Sequence, residues 1–304
     1  MGHFSDKTMG AAFKYAKSQT AYYSKSFYLS SQLLPKTKKW DTFALYSFCR
    51  YADNIVDNPR GRADAELFEE VAAVSRELQI AFRRGESEHP VLKPFIETAV
   101  RRNIPMQYSL DLLDGVKMDL LKNRYDTFAD LYEFAYRVAG VVGLMMSHVL
   151  GFKDKIALIY AEKLGIAMQL TNILRDMQED KNMNRIYIPL QEMKEFAIDE
   201  DDIMAERFGH NMLKFMKFQV HRAHRYFEEA QPGIALLDVD ARFAITSAAK
   251  IYRGILHQIE RNGYNPFLGR AYISQGKKFG ILFNEVLKTR VLQPVTTMLA
   301  GVIG

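Results

Sequence analysis

Two short segments of the sequence carry paired aspartates at the same spacing. Asp53 and Asp57 are four residues apart, and so are Asp176 and Asp180. On an α-helix, residues four apart lie on one face, so each pair would place two carboxylates side by side. The carboxylates repel each other unless a cation binds between them. For the first pair alone, a solvated acidic stripe balanced by Arg50 is an alternative, but the repeat of the spacing favours metal binding.

Amide oxygens accompany the second aspartate pair on its predicted helix face. Gln169 and Asn172 precede Asp176 at spacings of three and four residues. Carboxylate and amide oxygens suit Mg²⁺, which also leaves coordination places for water and substrate phosphate oxygens. We therefore expect a diphosphate bridged by several magnesium ions across two facing helices. The predicted ligands are Asp53, Asp57, Asn172, Asp176 and Asp180.

Three arginines stand close to these aspartates in the sequence, namely Arg50, Arg175 and Arg185. Guanidinium groups can stabilise the negative charge that develops on a leaving diphosphate. For Arg185, which belongs to the loop-like segment 181–189, a charge at the end of a helix is an equally good interpretation. Together with the aspartates, the arginines indicate a substrate that carries phosphate.

The elements that carry these residues are predicted to be helices. Apolar residues recur every three or four positions, as at Phe43, Phe48, Ala52 and Ile55, and strand-like alternation is almost absent. Prolines and glycines mark breaks that indicate about eight to ten helices in an all-α bundle. No linker or repeat divides the 304 residues, so we expect one domain over 1–304 with a catalytic core over about 15–290.

Small residues gather beside Tyr136. Ala139, Gly140 and Gly143 would leave room on an inward helix face for a hydrocarbon chain. The same residues would equally allow two helices to pack closely. The sequence leaves both interpretations open.

Composition narrows the class of protein. The net charge of +5 suits an anionic partner, but basic and acidic residues are interspersed, so no nucleic acid is expected. The single Cys49 excludes an internal disulfide and suits the cytoplasm. The longest nearly apolar run, 138–152, is too short to span a bilayer. We therefore expect a soluble, cytoplasmic protein.

Other catalytic patterns have little support. No GxGxxG, P-loop or GxSxG motif occurs, so nucleotide-binding and serine-hydrolase functions are not indicated. His221 and His224 lack a carboxylate at ligand spacing, and we interpret them as surface or packing residues.

The segments that carry the aspartates resemble those of the squalene/phytoene synthase family, and the resemblance extends along nearly the whole chain. One departure is Asn54, where family members often carry a further aspartate. Arg185 to Pro189 and Tyr252 also fit the family. The segments with the strongest resemblance are YSKSF at 23–27, ALYSFCRYADNIVD at 44–57, RYDTF at 124–128, YRVAGVVG at 136–143 and QLTNILRDMQED at 169–180.

The resemblance implies a single-domain isoprenoid-synthase helical bundle with a central cavity. It further implies a head-to-head (1′-1) condensation of two prenyl diphosphates with two or three Mg²⁺ ions. In this reaction one substrate loses diphosphate to give an allylic cation, and the double bond of the second attacks it. A cyclopropylcarbinyl diphosphate forms with loss of a proton, ionises by losing its own diphosphate, and rearranges to the linear product.

The resemblance also assigns roles to individual residues. The implied catalytic residues are Asp53, Asp57, Asp176, Asp180, Arg50 and Tyr252. The implied substrate contacts are Tyr23, Ser24, Lys25, Ser26, Tyr46, Arg50, Tyr136, Gln169, Arg175 and Arg185.

Family members differ in substrate length and product. Overall resemblance to the bacterial carotenoid enzymes, including the segment RAYIS at 270–274, favours two geranylgeranyl diphosphates and phytoene, a reaction without NADPH. The alternative is farnesyl diphosphate, with dehydrosqualene, presqualene diphosphate or squalene as the product. Positive charge and a water-insoluble product suggest peripheral membrane contact and downstream carotenoid enzymes as partners. A non-catalytic lipid- or membrane-binding helical protein is the hypothesis of another class, but such a protein has no use for two metal-spaced aspartate pairs.

Overall fold

The computed structural model describes residues 7–287, and within them the chain folds into a bundle of helices. Fourteen are α-helical, one short segment is π-helical and one is a 3₁₀ helix. The α-helices are α1 (Lys7–Tyr23), α2 (Lys25–Ser31), α3 (Lys36–Asp57), α4 (Asp64–Arg84), α5 (Leu92–Arg101), α6 (Met106–Leu121), α7 (Phe128–Ala135), α8 (Val141–Leu150), α9 (Ile156–Asn182), α10 (Leu190–Glu195), α11 (Glu200–Met204), α12 (His210–Ala230), α13 (Val239–Arg261) and α14 (Gln275–Leu287). The π-helical segment is Tyr136–Gly140, and the 3₁₀ helix is Gln231–Leu236.

The all-α prediction is confirmed, and the range 7–287 contains no strand beyond two isolated bridges. Ten of its α-helices have at least ten residues, which matches the long helices that the apolar periodicity marks. The remaining four have five to eight residues, and the prediction of eight to ten helices did not include them. A helix of one or two turns presents too few residues for a periodic pattern to be recognised.

Local sequence explains where several helices begin and end. Thr127 caps α7, because its side chain accepts a hydrogen bond from the backbone of Asp130, whose carboxylate accepts one in return. Asp199 and Asp202 form the same reciprocal cap at α11. At the end of α4, Gly85 adopts a left-handed conformation with φ of +74°.

The core consists of two clusters of buried side chains. The first, here the α3 cluster, joins α3 to α4, α5, α6 and α8 around Phe48, Leu78 and Phe95. The second, here the α9 cluster, joins α9 to α7, α12 and α13 around Phe215 and Leu256. Since α9 packs against both α8 and α12, it lies where the two clusters meet.

Buried charges fix the position of α3, the helix that carries the first aspartate pair. Asp41 is 1% exposed and accepts hydrogen bonds from Arg101 at 2.6 Å and from Arg102 at 2.7 Å. Lys38 is also buried and contacts Asp238 at 2.9 Å, just before α13 begins. Because Asp41 and Lys38 are buried, loss of their partners would leave an uncompensated buried charge, so these contacts hold α3 in place.

Within residues 7–287, no helix combines the length and hydrophobicity that crossing a bilayer requires.

Candidate active site

A cavity of about 290 Å³ lies between the two core clusters, and most of the side chains that line it are apolar. Leu45, Met146 and Leu150 come from the α3 cluster, while Leu164 and Met168 belong to the α9 side. The polar residues predicted for the active site gather at one end of this cavity. They are Tyr46, Asp53, Gln169, Asn172 and Tyr252.

Of the lining residues that belong to the described range 7–287, Asp53 is the one with a charged side chain. Burial raises the pKa of its carboxyl to about 7, and the charge of Asp57 one helical turn further on raises it as well. Arg50 contacts Asp57 at 3.0 Å and Asn54 at 3.2 Å, so the arginine neutralises only part of the acidic face. A buried acid with a raised pKa at the end of a cavity is typical of a functional site.

The second aspartate pair extends from the cavity along α9. Arg175 binds Asp176 through two hydrogen bonds of 2.7 and 2.5 Å. Burial raises the pKa of Asp180 to about 7, with a further contribution from the charge of Asp176. Each pair therefore contains one acid whose pKa lies near 7 while no cation is bound.

Asp119 of α6 lies between the two aspartate pairs, and the sequence analysis did not identify it. Its negative charge is close enough to raise the pKa of both Asp53 and Asp180. It binds Arg185 at 3.1 Å and accepts a hydrogen bond from Tyr187 at 2.6 Å. Arg185 is thereby directed at the acidic site, so of its two interpretations the structure favours the one next to the aspartates.

Arg270 is a second site residue that spacing did not reveal. Its Nε lies 2.9 Å from Oδ1 of Asp176, and its side chain is 51% exposed at the edge of the site. Asp119 and Arg270 each reach the site from an element that is distant in sequence from the aspartate pairs. No spacing of three or four residues therefore links either of them to those pairs. The resemblance of segment 270–274 to the carotenoid enzymes was the only sequence signal near Arg270.

The connection between α1 and α2 covers the α3 side of the site. The guanidinium of Arg50 lies 4.6 Å from the centre of the Tyr23 ring. Ser24 makes a side-chain hydrogen bond with Tyr46, whose pKa burial raises to about 12. Lys25 begins α2 and is exposed. The side chain of Ser26 lies outside the part of the chain that the structure describes.

Aromatic rings approach the polar end of the cavity from two helices. The ring of Phe27 stacks on that of Tyr46 with 5.0 Å between their centres. Tyr252 of α13 lines the cavity and lies near Tyr46 and Arg175. Tyr136 does not line the cavity. It is half-buried against the α3 cluster, and its role as a substrate contact stays a prediction.

The small residues after Tyr136 serve both of the roles that the sequence left open. Ala139 and Gly143 line the cavity. A Cβ atom added to Gly143 would lie 2.3 Å from the carbonyl oxygen of Ala161, and one added to Gly165 would lie 2.2 Å from that of Ala139. The π-helical segment and α8 thus pack backbone to backbone against α9 while they form the cavity wall.

The oxygen atoms at the polar end of the cavity are suitable ligands for magnesium. Oδ1 of Asn172 and Nε of Arg50 are buried, and within the described range they have no hydrogen-bond partner. An unpaired buried polar atom costs about 1–3 kcal/mol, so both are available to a ligand. The aspartates supply hard oxygen donors, and two of them must release a proton before a cation binds.

A group of possible metal ligands, which the sequence analysis did not predict, lies elsewhere on the surface. His224, His257 and Glu260 place their ligand atoms within 4.8 Å of one another. Nε of Arg253 donates a hydrogen bond to Nδ1 of His224 at 3.0 Å, so the ring proton of a neutral His224 is on Nε2. Neither nitrogen then offers a free lone pair to a cation. This arrangement is consistent with a packing role for His224.

Comparison with known sequences places the chain among synthases of long isoprenoids. The family described as Squalene/phytoene synthase matches residues 20–277. The 15-cis-phytoene synthase of Synechococcus elongatus is 38% identical over 297 residues, which are 94% of this chain and 96% of that protein. Phytoene synthase 1 of Arabidopsis thaliana is 35% identical over 92% of this chain and 68% of its own length.

Solved structures support the same relationship. A dehydrosqualene synthase in complex with a ligand superposes with a TM-score of 0.82 at 31% identity, covering 91% of this chain and 96% of that one. A squalene synthase from Alicyclobacillus acidocaldarius superposes with a TM-score of 0.78 at 25% identity, covering 86% of this chain and 100% of its own.

Proposed function

The chain belongs to the squalene/phytoene synthase family, and we propose that it joins two molecules of geranylgeranyl diphosphate head to head to form phytoene in carotenoid biosynthesis. The observation that carries this proposal is the 38% identity to a 15-cis-phytoene synthase over nearly the full length of both chains. The arrangement of the site supports it, because acidic and basic groups for a diphosphate lie at one end of an apolar cavity.

Enzymes of this family are generally magnesium-dependent prenyl transferases. We propose that Asp53, Asp57, Asn172, Asp176 and Asp180 hold two or three Mg²⁺ ions together with the substrate diphosphate. When bound, the ions would neutralise the charge of the leaving diphosphate.

The arginines act on the same group. Arg50, Arg175, Arg185 and Arg270 are in contact with the site acids, and we propose that they bind the diphosphate oxygens when substrate enters. Asp119 holds Arg185 in position for this.

The cavity suits the hydrocarbon part of the substrate. Its apolar walls exclude water, which would otherwise capture an allylic cation and end the reaction as an alcohol. The rings of Phe27, Tyr46 and Tyr252 line the polar end, where ring faces stabilise nearby positive charge. No reductant enters this scheme, because loss of a proton completes phytoene formation.

Farnesyl diphosphate is the second candidate substrate. The specific observation in its favour is the close superposition on a dehydrosqualene synthase at 31% identity. The same residues would carry out the same condensation on the shorter chain.

We also propose that the enzyme works in the cytoplasm and touches the membrane surface. The net charge of +5 suits anionic lipid headgroups, and a hydrocarbon product must pass to a bilayer or to a downstream carotenoid enzyme.

A product assay tests the proposed function. Purified protein is incubated with Mg²⁺ and either geranylgeranyl or farnesyl diphosphate, with and without NADPH, and the extracts are analysed by mass spectrometry. We expect a C40 hydrocarbon from geranylgeranyl diphosphate alone and none after chelation with EDTA. A C30 product only would move the assignment to the farnesyl branch, and no metal-dependent turnover of either substrate would refute the synthase function.

Asp176→Asn tests whether the acidic site does the chemistry. We expect the turnover number to fall at least about 100-fold, because the substitution removes a carboxylate that is proposed to hold the Mg²⁺ ions that act on the diphosphate. Asp201→Asn, at an exposed aspartate of α11, is the matched control and should retain activity. Equal activity of both variants would contradict the assignment.

A further inference from the structure

The cavity continues well beyond the acidic site along one face of α9. The residues of α9 that line it follow one another at steps of three and one from Ala157 to Asn172, which places them on a single helical face. Fifteen residues at 1.5 Å per residue give this face a length of about 22 Å. The residues are Ala157, Tyr160, Ala161, Leu164, Gly165, Met168, Gln169 and Asn172. The cavity is therefore a long channel with its acidic site at one end.

Tyr160 stands near the opposite end of this channel from Asn172, one helical turn from Ala157, where the lining face of α9 ends. It lines the channel and is half-buried, so its side chain contacts both the interior and the solvent. Leu150, Ile234 and Leu237 line the channel around it. The Tyr160 side chain is thus part of the wall at the far end of the channel and is partly open to solvent.

Gly233 of the 3₁₀ helix Gln231–Leu236 holds Tyr160 in this place. A Cβ atom added to Gly233 would lie 2.1 Å from Cβ of Tyr160 and 2.7 Å from its Cγ. Such distances do not occur between real side chains, so the backbone at position 233 rests directly on the base of the ring. The contact is possible only without a side chain at 233, and it leaves the ring little freedom to move aside.

We propose that Tyr160, supported by Gly233, is the stopper that sets the longest hydrocarbon chain the channel accepts. The inference rests on the proposed function, since it assumes that a prenyl diphosphate binds with its charged end at the aspartates. With the diphosphate fixed there, the length of the chain decides whether its tail meets the Tyr160 ring. A chain one isoprene unit too long must displace the ring or bend, and both lower its rate.

Steady-state kinetics with substrates of different chain length test this role. Wild type, Tyr160→Ala and Tyr160→Phe are given farnesyl, geranylgeranyl and the one-unit-longer geranylfarnesyl diphosphate with Mg²⁺, and kcat/KM is measured for each. We expect Tyr160→Ala to raise the ratio of kcat/KM for geranylfarnesyl over geranylgeranyl diphosphate at least about tenfold, since apolar pockets discriminate about 10–200-fold per missing or added group. Tyr160→Phe keeps the ring and should leave the ratio within about twofold.

Ile159→Ala is a second control, because Ile159 is 58% exposed on the same turn of α9. It should not change the ratio. An unchanged ratio in an active Tyr160→Ala enzyme would overturn the stopper.

A binding measurement distinguishes failure of this inference from failure of the proposed function. It also applies to a variant whose turnover is too weak to measure. Thermal stabilisation by non-hydrolysable thiolodiphosphate analogues of the three lengths is measured with Mg²⁺, using Tyr160→Leu as an additional variant. The wild type should be stabilised less by the longest analogue than by the middle one, and Tyr160→Leu and Tyr160→Ala should lose this difference. A difference that persists in both variants would refute the stopper. If the wild type makes no C40 product, the proposed function fails, while this length dependence still reports on the stopper.

Discussion

At the scale of single residues, the site contains carboxylic acids whose ionisation costs free energy in the folded protein. Burial raises the pKa of Asp53 and of Asp180 to about 7, and a neighbouring aspartate adds to the shift in each case. A cation removes both penalties at once, because it compensates burial and repulsion together. The free energy that these acids cost the metal-free fold is thus recovered on metal binding.

Asp53→Asn should make the metal-free protein more stable at high pH. The folded protein keeps the Asp53 proton up to a pH of about 7, whereas the unfolded chain releases it near pH 4. The free energy of unfolding of the wild type therefore falls as the pH rises from about 4 to about 7. Asn cannot ionise, so the variant escapes this loss.

Thermal unfolding in EDTA at pH 5 and at pH 8 checks this prediction. At pH 8 the Tm of Asp53→Asn should exceed that of the wild type by about 2–4 °C or more, which corresponds to at least about 1 kcal/mol. At pH 5 the excess should be smaller, because the wild type has lost only part of this free energy of unfolding there, and Asp201→Asn should follow the wild type at both values. A variant that is no more stable at pH 8 would show that Asp53 ionises without cost.

At the scale of elements, the site depends on how closely three helical segments approach. Gly143 and Gly165 face backbone carbonyl oxygens across the contact between α9 and the segment formed by Tyr136–Gly140 and α8. Any larger residue would separate the helices. Because the same segments line the cavity, the close packing also sets the width of the channel.

Gly165→Ala should destabilise the fold. Its Cβ would lie 2.2 Å from the carbonyl oxygen of Ala139, so the helices must move apart, at a cost of about 1–3 kcal/mol. Gly280→Ala is the matched control, since an added Cβ meets nothing within 4 Å at this position in α14. Alanine favours a helix by about 1 kcal/mol over glycine, so the control should be neutral or stabilising. Urea unfolding of both variants measures the difference, and equal effects would contradict the packing argument.

At the scale of the whole molecule, the channel separates the α3 cluster from the α9 cluster. The acids at its end come from α3, α6 and α9, so a ligand that binds them all connects the two halves of the core. The charge of Asp119 raises the pKa of both Asp53 and Asp180, so a cation bound at this point would ease the ionisation of acids from both halves.

Mg²⁺ and a substrate analogue should stabilise the protein together more than the sum of their separate effects. At a concentration 100 times its Kd, a ligand that binds only the folded state adds about 2.7 kcal/mol, which corresponds to a Tm increase of several degrees. Differential scanning fluorimetry with Mg²⁺, geranylgeranyl thiolodiphosphate, both or neither measures the effect. Stabilisation by the analogue that is the same in EDTA would contradict a metal-assisted diphosphate site.

The sequence alone determined the helical class and the two acidic helix faces. Both depend on spacings of three and four residues, which the geometry of a helix turns into a shared face whatever surrounds it. Asp53, Asp176 and their neighbours were therefore identifiable as a set, as was their likeness to the family.

Only the tertiary structure decided what surrounds those faces. Asp119 meets Arg185 across 66 residues, Arg270 meets Asp176 across 94, and Tyr160 meets Gly233 across 73. No periodic pattern records such contacts, because they arise from the packing of helices that are remote in sequence. The depth of the channel, its stopper and the arginine at its edge depend on this packing, whereas the acids that define its chemistry were encoded locally.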